Sequence, residues 1–327
     1  MRKALISGIL VGVLAVILLI RFFPSNDDFS LDNPFWNGLK NFKKETKALS
    51  ISSVSAAGFI SLPAKNVLFI IGPSGVYTRR EVEFISSYLR EGGVLILADD
   101  FGSGNSILKG LGLKTRFSQH LVVDPLFRGK SSVLVKIVDL STSLVNVKNL
   151  MLNYPTSLQF KSSEGKILAT SSSFSFFDDN LNGKKEKKEV KGPFPMVAEI
   201  HYGKGKIYLI SDSSLFINSM LSREGNEEFL KTLIKGKNTF IDISHHLVGY
   251  LTKLKNTEIR IYQVISRFEI KYSIFLILVI IIIWLRFKKK KSGYEENIQD
   301  ILQKHPTWDR KILEIILQKR EGIKNEW

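Results

Sequence analysis

Apolar residues recur along this chain in three patterns, and each pattern predicts a different element. The first is the unbroken run. Residues 4–20 carry no charge and follow Arg2 and Lys3. Continued through Phe22 and Phe23, the run reaches the ~20 residues a helix needs to cross a bilayer. It ends in Arg21-Phe22-Phe23-Pro24, without the small residues of a signal-peptidase site, and so reads as an uncleaved anchor. Residues 272–285 form a second run, almost wholly aliphatic, between Lys271 and Arg286 with lysines at 288–291. At ~1.5 Å per residue this run is short for a bilayer, so it must borrow length from Phe287 and from the snorkelling stems of Lys271 and Arg286. Basic residues beyond the far end of each run place both termini in the cytoplasm and the residues between them outside. Five segments follow: an anchor at 1–23, an extracytoplasmic α/β domain at 24–246, a membrane-proximal segment at 247–270, a second transmembrane helix at 271–287, and a basic, helical cytoplasmic tail at 288–327.

The other two patterns lie inside the domain. Residues 67–72 (VLFIIG) and 94–98 (VLILA) are apolar throughout and too short for helices, as strands buried on both faces are. Between them, Thr78-Arg79-Arg80-Glu81 has the spacing of a capping box, Val82, Ile85 and Leu89 share one helical face, and Gly92-Gly93 stops the helix. Strand, capped helix and strand make a βαβ unit and hence a parallel pair. The same reading predicts helices over 36–47, from 106 and over 214–235, and strands over 47–54 and 239–241. It also predicts an antiparallel hairpin of 196–202 and 206–211 about Gly203-Lys204-Gly205. Residues 113–175 alternate short apolar and polar runs, a less regular part of the sheet, and 183–192 (GKKEKKEVKG) read as a solvated loop. Residues 247–269 are polar and amphipathic. In the tail, Ile298, Ile301 and Leu302, then Ile312, Leu313, Ile316 and Leu317, mark two short amphipathic helices either side of Pro306, each marginal alone in water.

Composition narrows the chemistry. The 327 residues include no Cys, which excludes disulfides, thiolate metal sites and a cysteine nucleophile. A net charge of +16 raises nucleic acid as a partner, but the basic residues cluster beside the apolar runs and otherwise spread thinly, with no basic helix face. A mildly basic surface facing anionic lipid headgroups or cell-envelope polymers is the simpler account. The expected partners are the lipid bilayer and an unidentified protein, not nucleic acid.

In an open parallel sheet, ligands bind beyond the carboxyl ends of the strands. The residues that follow the predicted strands there are Ser74, the pair Asp99 and Asp100, Asp212, and Asp242 with His245 and His246. With Asn105 and Asn218 from the same segments, the ligand-binding candidates are Ser74, Asp99, Asp100, Asn105, Asp212, Asn218, His245 and His246. Asp and Ser also cap helices and close tight turns, so Asp100 and Asp212 each have a structural reading, as caps of the helix that follows, beside the functional one. No HxxxH or HExxH spacing occurs, and neighbouring histidines point apart, so no metal or other cofactor is expected. Ser74 or Ser103 as a hydrolase nucleophile lacks the Gly-x-Ser-x-Gly elbow, of which Phe101-Gly102-Ser103-Gly104 is a fragment.

Several stretches resemble the uncharacterised, membrane-anchored domain-of-unknown-function family 4350, placed within the class I glutamine-amidotransferase-like superfamily. They are NPFWNGL at 33–39, VLFIIGP with the capped helix to Gly93, LADDFGSGN at 97–105, GKGKIYLISDSSLFINSML at 203–221 and DISHH at 242–246. The resemblance implies a flavodoxin-like, largely parallel sheet with flanking helices. It also implies that Asp100 stands where active glutaminases carry their thiol and Asp212 where they carry their histidine. A carboxylate is a poor acyl acceptor beside a second carboxylate and cannot relay a proton as imidazole does, so no glutamine hydrolysis is expected. Relatives associated with AAA-type ATPases of the MoxR group imply a role in envelope assembly. The function expected is a non-catalytic, membrane-anchored binding or scaffold protein of the cell envelope. Two alternatives stand beside it. One is a metal-assisted hydrolase of envelope carbohydrate or peptide using Asp99, Asp100, Asp212 and His246; the other is an accessory subunit of an exporter.

Overall fold

The computed structural model describes residues 2–55, 63–100 and 102–324, in two compact units, Met1–Lys255 and Asn256–Trp327. The first unit begins with helix α1 (Arg2–Phe22), followed by α2 (Lys40–Thr46) and strand β1 (Leu49–Ile51). The βαβ unit then appears as the apolar pattern requires: β2 (Asn66–Ile71), α3 (Arg79–Arg90) and β3 (Val94–Ala98), with β2 and β3 paired in parallel. Thr78 and Glu81 form the reciprocal capping box, and Val82, Ile85 and Leu89 are buried. Helix α4 (Asn105–Gly110) follows β3.

Residues 116–177 fold mostly into short antiparallel ribbons: β4 (Arg116–Phe117) with β9 (Leu158–Gln159), β5 (Val122–Val123) with β11 (Phe176–Phe177), and β6 (Leu134–Ile137) with β8 (Leu150–Asn153). Two further strands, β7 (Asp139–Leu140) and β10 (Gly165–Thr170), join the main sheet. The predicted hairpin forms from β12 (Pro195–Tyr202) and β13 (Gly205–Ile210), with Gly203 at φ +60° in its turn. Helix α5 (Asn226–Ile234) and strand β14 (Asn238–Asp242) complete the domain.

The main sheet has eight strands in the order β1-β14-β2-β3-β13-β12-β10-β7. The five from β1 to β13 run parallel, and β12, β10 and β7 extend them antiparallel. The sheet is therefore mixed, which corrects the expectation of a largely parallel one. The tight Gly203-Lys204 link is too short for a crossover, so β12 can only lie antiparallel beside β13. Alternation along β2 explains its unbroken apolar run. Val67, Phe69 and Ile71 enter a core on one face of the sheet, and Leu68 and Ile70 enter a second core with Ile85, Tyr88 and Leu89 on the other. In the first core Phe42, Phe69 and Phe216 meet edge-on with ring centroids 5.0–5.8 Å apart.

Two predicted helices are shortened. Residues 33–39 form a hydrogen-bonded turn and leave α2 to start at Lys40. The stretch 214–235 breaks after a 3-10 turn, Ser213–Phe216, because buried Asn226 must reach the backbone of Met151 (3.0 and 2.9 Å) and of Met220 (2.9 Å). Helix α6 (Tyr250–Ile265) covers the predicted amphipathic stretch. In the second unit, α7 (Phe268–Lys304) carries the second apolar run and continues through residues 298–302, so the first predicted tail helix is the end of a longer one. Pro306 ends it, because the residue before a proline avoids helical geometry. Helix α8 (Arg310–Lys324) follows. Ala4–Phe22 and Phe268–Phe287 are long and apolar enough to cross a membrane. The side chains of Arg2, Lys3 and residues 288–291, on which the orientation argument leans, lie outside the described set.

Candidate functional site

The predicted site residues lie at the carboxyl end of the parallel block, and they divide into two groups. Beyond β3 and β13 the carboxylates are taken up by the chain itself. Asp99 is fully buried, and its Oδ2 accepts the Gly104 amide at 2.7 Å, which closes the loop into α4. A Cβ on Gly104 would sit 3.0 Å from that oxygen and 3.1 Å from Leu97, so the approach favours glycine. Phe101 in this loop lies outside the described residues. Asn105 clamps the backbone of Phe117, accepting its N–H at 2.9 Å and donating to its carbonyl at 3.1 Å.

Asp100 accepts the Ser213 hydroxyl at 2.6 Å, and burial raises its pKa. Asp212 is fully buried and accepts two amides at 2.7 Å, from Asn153 and from Ser214, the latter capping the 3-10 turn. Burial first, and the neighbouring Asp100 charge second, push the Asp212 pKa well above the ordinary carboxylate range. Asn218 is wholly a fastener. It accepts from Asn41 N at 2.8 Å and donates to the carbonyls of Asn33 (3.0 Å) and Phe35 (2.6 Å), holding the 33–39 turn against the domain.

At the end of β14 a buried polar network includes a residue that sequence reasoning missed. Asp242 accepts from Tyr77 Oη at 2.5 Å, from His245 Nδ1 at 2.9 Å, and from Ser244 N and Oγ at 2.9 and 2.6 Å. The Tyr77 ring stacks on His245 at 3.7 Å between centroids. Burial, then the Asp242 charge, drive the Tyr77 pKa far upward, so the phenol stays a donor. An aromatic one residue before a capping box was the only signal for it. Asp242 orients His245 as a hydrolase carboxylate orients its histidine, but His245 Nε2 faces Glu81 at 3.6 Å and not a serine hydroxyl. Glu81 is itself engaged in capping α3. Among the described residues, no group of three or more His, Asp or Glu is placed to hold a metal ion.

The edge beyond β2 and β14 is open. Ser74 donates from both N (2.8 Å) and Oγ (2.6 Å) to the carbonyl of His245. His246 turns the other way. Its Nε2 donates to the Ile71 carbonyl at 2.8 Å, its ring lies 6.0 Å from that of Phe29, and burial lowers its pKa. Here a cavity of about 690 Å³ is walled by Asp27, Asp28, Phe29, Ser74, His246 and Tyr250 among others. Its size is that of a small-molecule site. A groove of about 940 Å³ between α3 and α4, flanked by Arg79, Arg90 and Lys109, is larger but lies along the helix faces. Of the eight ligand-binding candidates, Ser74 and His246 line the strand-end cavity, together with Ser103, the other serine weighed as a nucleophile.

These features define a class: a mixed α/β domain with a ligand-sized cavity at its strand ends, on a chain with two helices fit to cross a membrane. The chain belongs to the domain-of-unknown-function family DUF4350, whose pattern matches residues 32–234. No curated protein matches it. Among solved structures, the chain is similar to the mmIFT52 N-terminal domain, at 16% identity over 52% of this chain and 77% of that one, with a TM-score of 0.41. A ThuA-like protein from Bacteroides uniformis matches at 13% identity over 57% and 78%, TM-score 0.35. A β-galactosidase from Bacillus circulans matches at 12% identity over 50% and 22%, TM-score 0.30.

Proposed function

We propose that the protein is a non-catalytic, membrane-anchored binding or scaffold domain of the cell envelope, with both termini in the cytoplasm and the α/β domain outside. The observation that carries this reading is how the strand-end carboxylates are used. Asp99, Asp100, Asp212 and Asp242 each accept hydrogen bonds from the chain's own amides, hydroxyls or imidazole, while the neighbouring cavity keeps groups that the fold does not consume. With two and four accepted bonds, Asp212 and Asp242 in particular have less capacity left for substrate or metal. The amidotransferase-like ancestry inferred from the family resemblance fits the five-stranded parallel block, with Asp100 and Asp212 standing where a thiol and an imidazole would be needed. An AAA-type ATPase of the MoxR group is the partner that the resemblance suggests.

The test is a screen of purified full-length protein in detergent against glutamine, peptides and glycosides, with and without divalent metals. No turnover is expected. Turnover that disappears in Asp100→Asn or Asp242→Asn would overturn the reading. Orientation is checked separately by protease added to intact cells, which should cleave between the two apolar helices; cleavage of the 288–327 tail instead would invert it.

A further inference from the structure

We infer that the cavity beyond β2 and β14 is a binding site for an organic ammonium ion, a primary amine carried on a short apolar body. The inference rests on the binding-domain reading above and names the ligand class of that site.

Charge is the first reason. In a protein of net charge +16, the cavity wall holds Asp27 and Asp28 and no Lys or Arg. Two lysines on α6 are turned to other contacts: Lys253 stands 5.6 Å from the Tyr250 ring centre, and Lys255 bonds the Phe23 carbonyl. Asp27 has no side-chain hydrogen bond to the protein among the described residues, and Asp28 gives one oxygen to Asn37 and keeps the other.

Hydrogen-bond direction is the second reason. Because a carbonyl can only accept, the His246 proton sits on Nε2 against Ile71. Burial lowers the ring's pKa and so favours the neutral form, in which Nδ1 presents a lone pair. Ser74 spends its hydroxyl proton on the His245 carbonyl at 2.6 Å and likewise presents lone pairs. Inside the cavity, the acceptors therefore outnumber the donors. Asn26 and Tyr250 are exposed, Tyr250 at 87%, and Ser103 can act either way. A tetrahedral ammonium with three donors suits a cavity lined by acceptors of this kind. A divalent metal does not, since it needs six or more oxygen ligands or a denser carboxylate set.

Shape is the third. Phe29 lies against Gly72, where a Cβ would come within 2.6 Å of its ring, and with Pro73, Leu247 and Leu251 it supplies apolar surface for the rest of the ligand. Phe29 is also an aromatic lining residue of the kind that attracts organic cations. Gly249 admits the Asp27 carboxylate, because an added methyl would sit 2.4 Å from its Oδ1.

Position narrows the source. Asn26 follows the last residue of α1, Phe22, by only four residues, a reach of at most ~14 Å. An anchored α1 therefore holds the cavity at headgroup level, where the amine of an aminophospholipid and a soluble amine are both within reach.

The experiment uses full-length protein in detergent micelles, with hexylamine as the probe and hexanol and hexanoate as controls, read by thermal shift and calorimetric titration. Hexylamine should raise the Tm and the two controls should not. Asp27→Asn should weaken its binding about tenfold or more, the value of a charge-assisted hydrogen bond, and Gly249→Ala should weaken it by displacing Asp27. Asp32→Asn, which alters an exposed pair with Lys43 elsewhere, should bind as the parent does. Equal stabilisation by hexanol, no response to hexylamine, or full affinity in Asp27→Asn would overturn the site. Competition in nanodiscs identifies the source. If phosphatidylethanolamine in a phosphatidylcholine disc weakens hexylamine binding, the ligand is a headgroup; if it has no effect, a soluble amine is the ligand. An amine that fails to bind a protein without turnover removes this site and leaves the binding-domain reading. Turnover in a protein that binds the amine does the reverse.

Discussion

Beyond β3 and β13, the strand ends carry Asp99, Asp100 and Asp212, all buried or nearly so and all bonded to loop amides or a serine hydroxyl. Beyond β2 and β14, a few residues away along the same edge, Ser74 and His246 are fixed by one carbonyl each and still face a cavity. Strand-end polar residues thus serve as fasteners beyond β3 and β13 and partly as a cavity lining beyond β2 and β14. The carboxylates are fasteners in both halves, since Asp242 beyond β14 accepts the Ser244 amide and hydroxyl and the Tyr77 phenol. The difference lies in Ser74 and His246, whose backbone contacts leave them at the cavity wall.

The sharpest break of this comparison is Asp212→Ala. It removes a fully buried acceptor from two part-buried amides, so the domain should lose about 2–4 kcal/mol, measured by chemical denaturation in detergent. Ser74→Ala on the open side should cost no more than about 0.5 kcal/mol by the same measurement. Similar losses in the two variants would erase the distinction. Tyr77→Phe removes one of the donors to Asp242 and should cost about 1–3 kcal/mol. Asn218→Ala should cost about 1–2 kcal/mol, and it should also speed amide exchange selectively across residues 33–41, whose carbonyls and amide it holds.

The smallest effect is the pH dependence. Asp100 and Asp212 have folded pKa values above their unfolded ones, so between those values the native state binds more protons than the unfolded state. Their contribution is fully favourable below the unfolded carboxylate range and is lost as pH rises through the raised folded values. The Tm should therefore climb modestly as pH falls from neutral into that window, and Asp100→Asn should flatten the climb. A Tm independent of pH in the parent would show that the two charges are better compensated than their burial implies.

Much of this was legible in advance where the cause is local. The capping box at Thr78 and Glu81, the apolar alternation of β2 and the Gly203 turn all depend on residues within a few positions of one another. The length of α7 was not legible, because a helix that starts in an apolar run continues until something stops it, and Pro306 is the stop. Nor was the role of Asn218, whose partner Asn33 is 185 residues away, or of Tyr77, 165 residues from Asp242.

By itself, then, the sequence determined the two apolar helices, the βαβ unit and the hairpin, because hydrophobic period, capping and turn chemistry act over a single turn or strand. Tertiary structure alone decided that the sheet would be mixed, that Asp99, Asp100 and Asp212 would be sealed, and that a cavity would open beside His246. Strand order and the satisfaction of a buried carboxylate depend on groups brought together from distant parts of the chain. A residue's type says what it can bond to; only the fold says whether that capacity is already used.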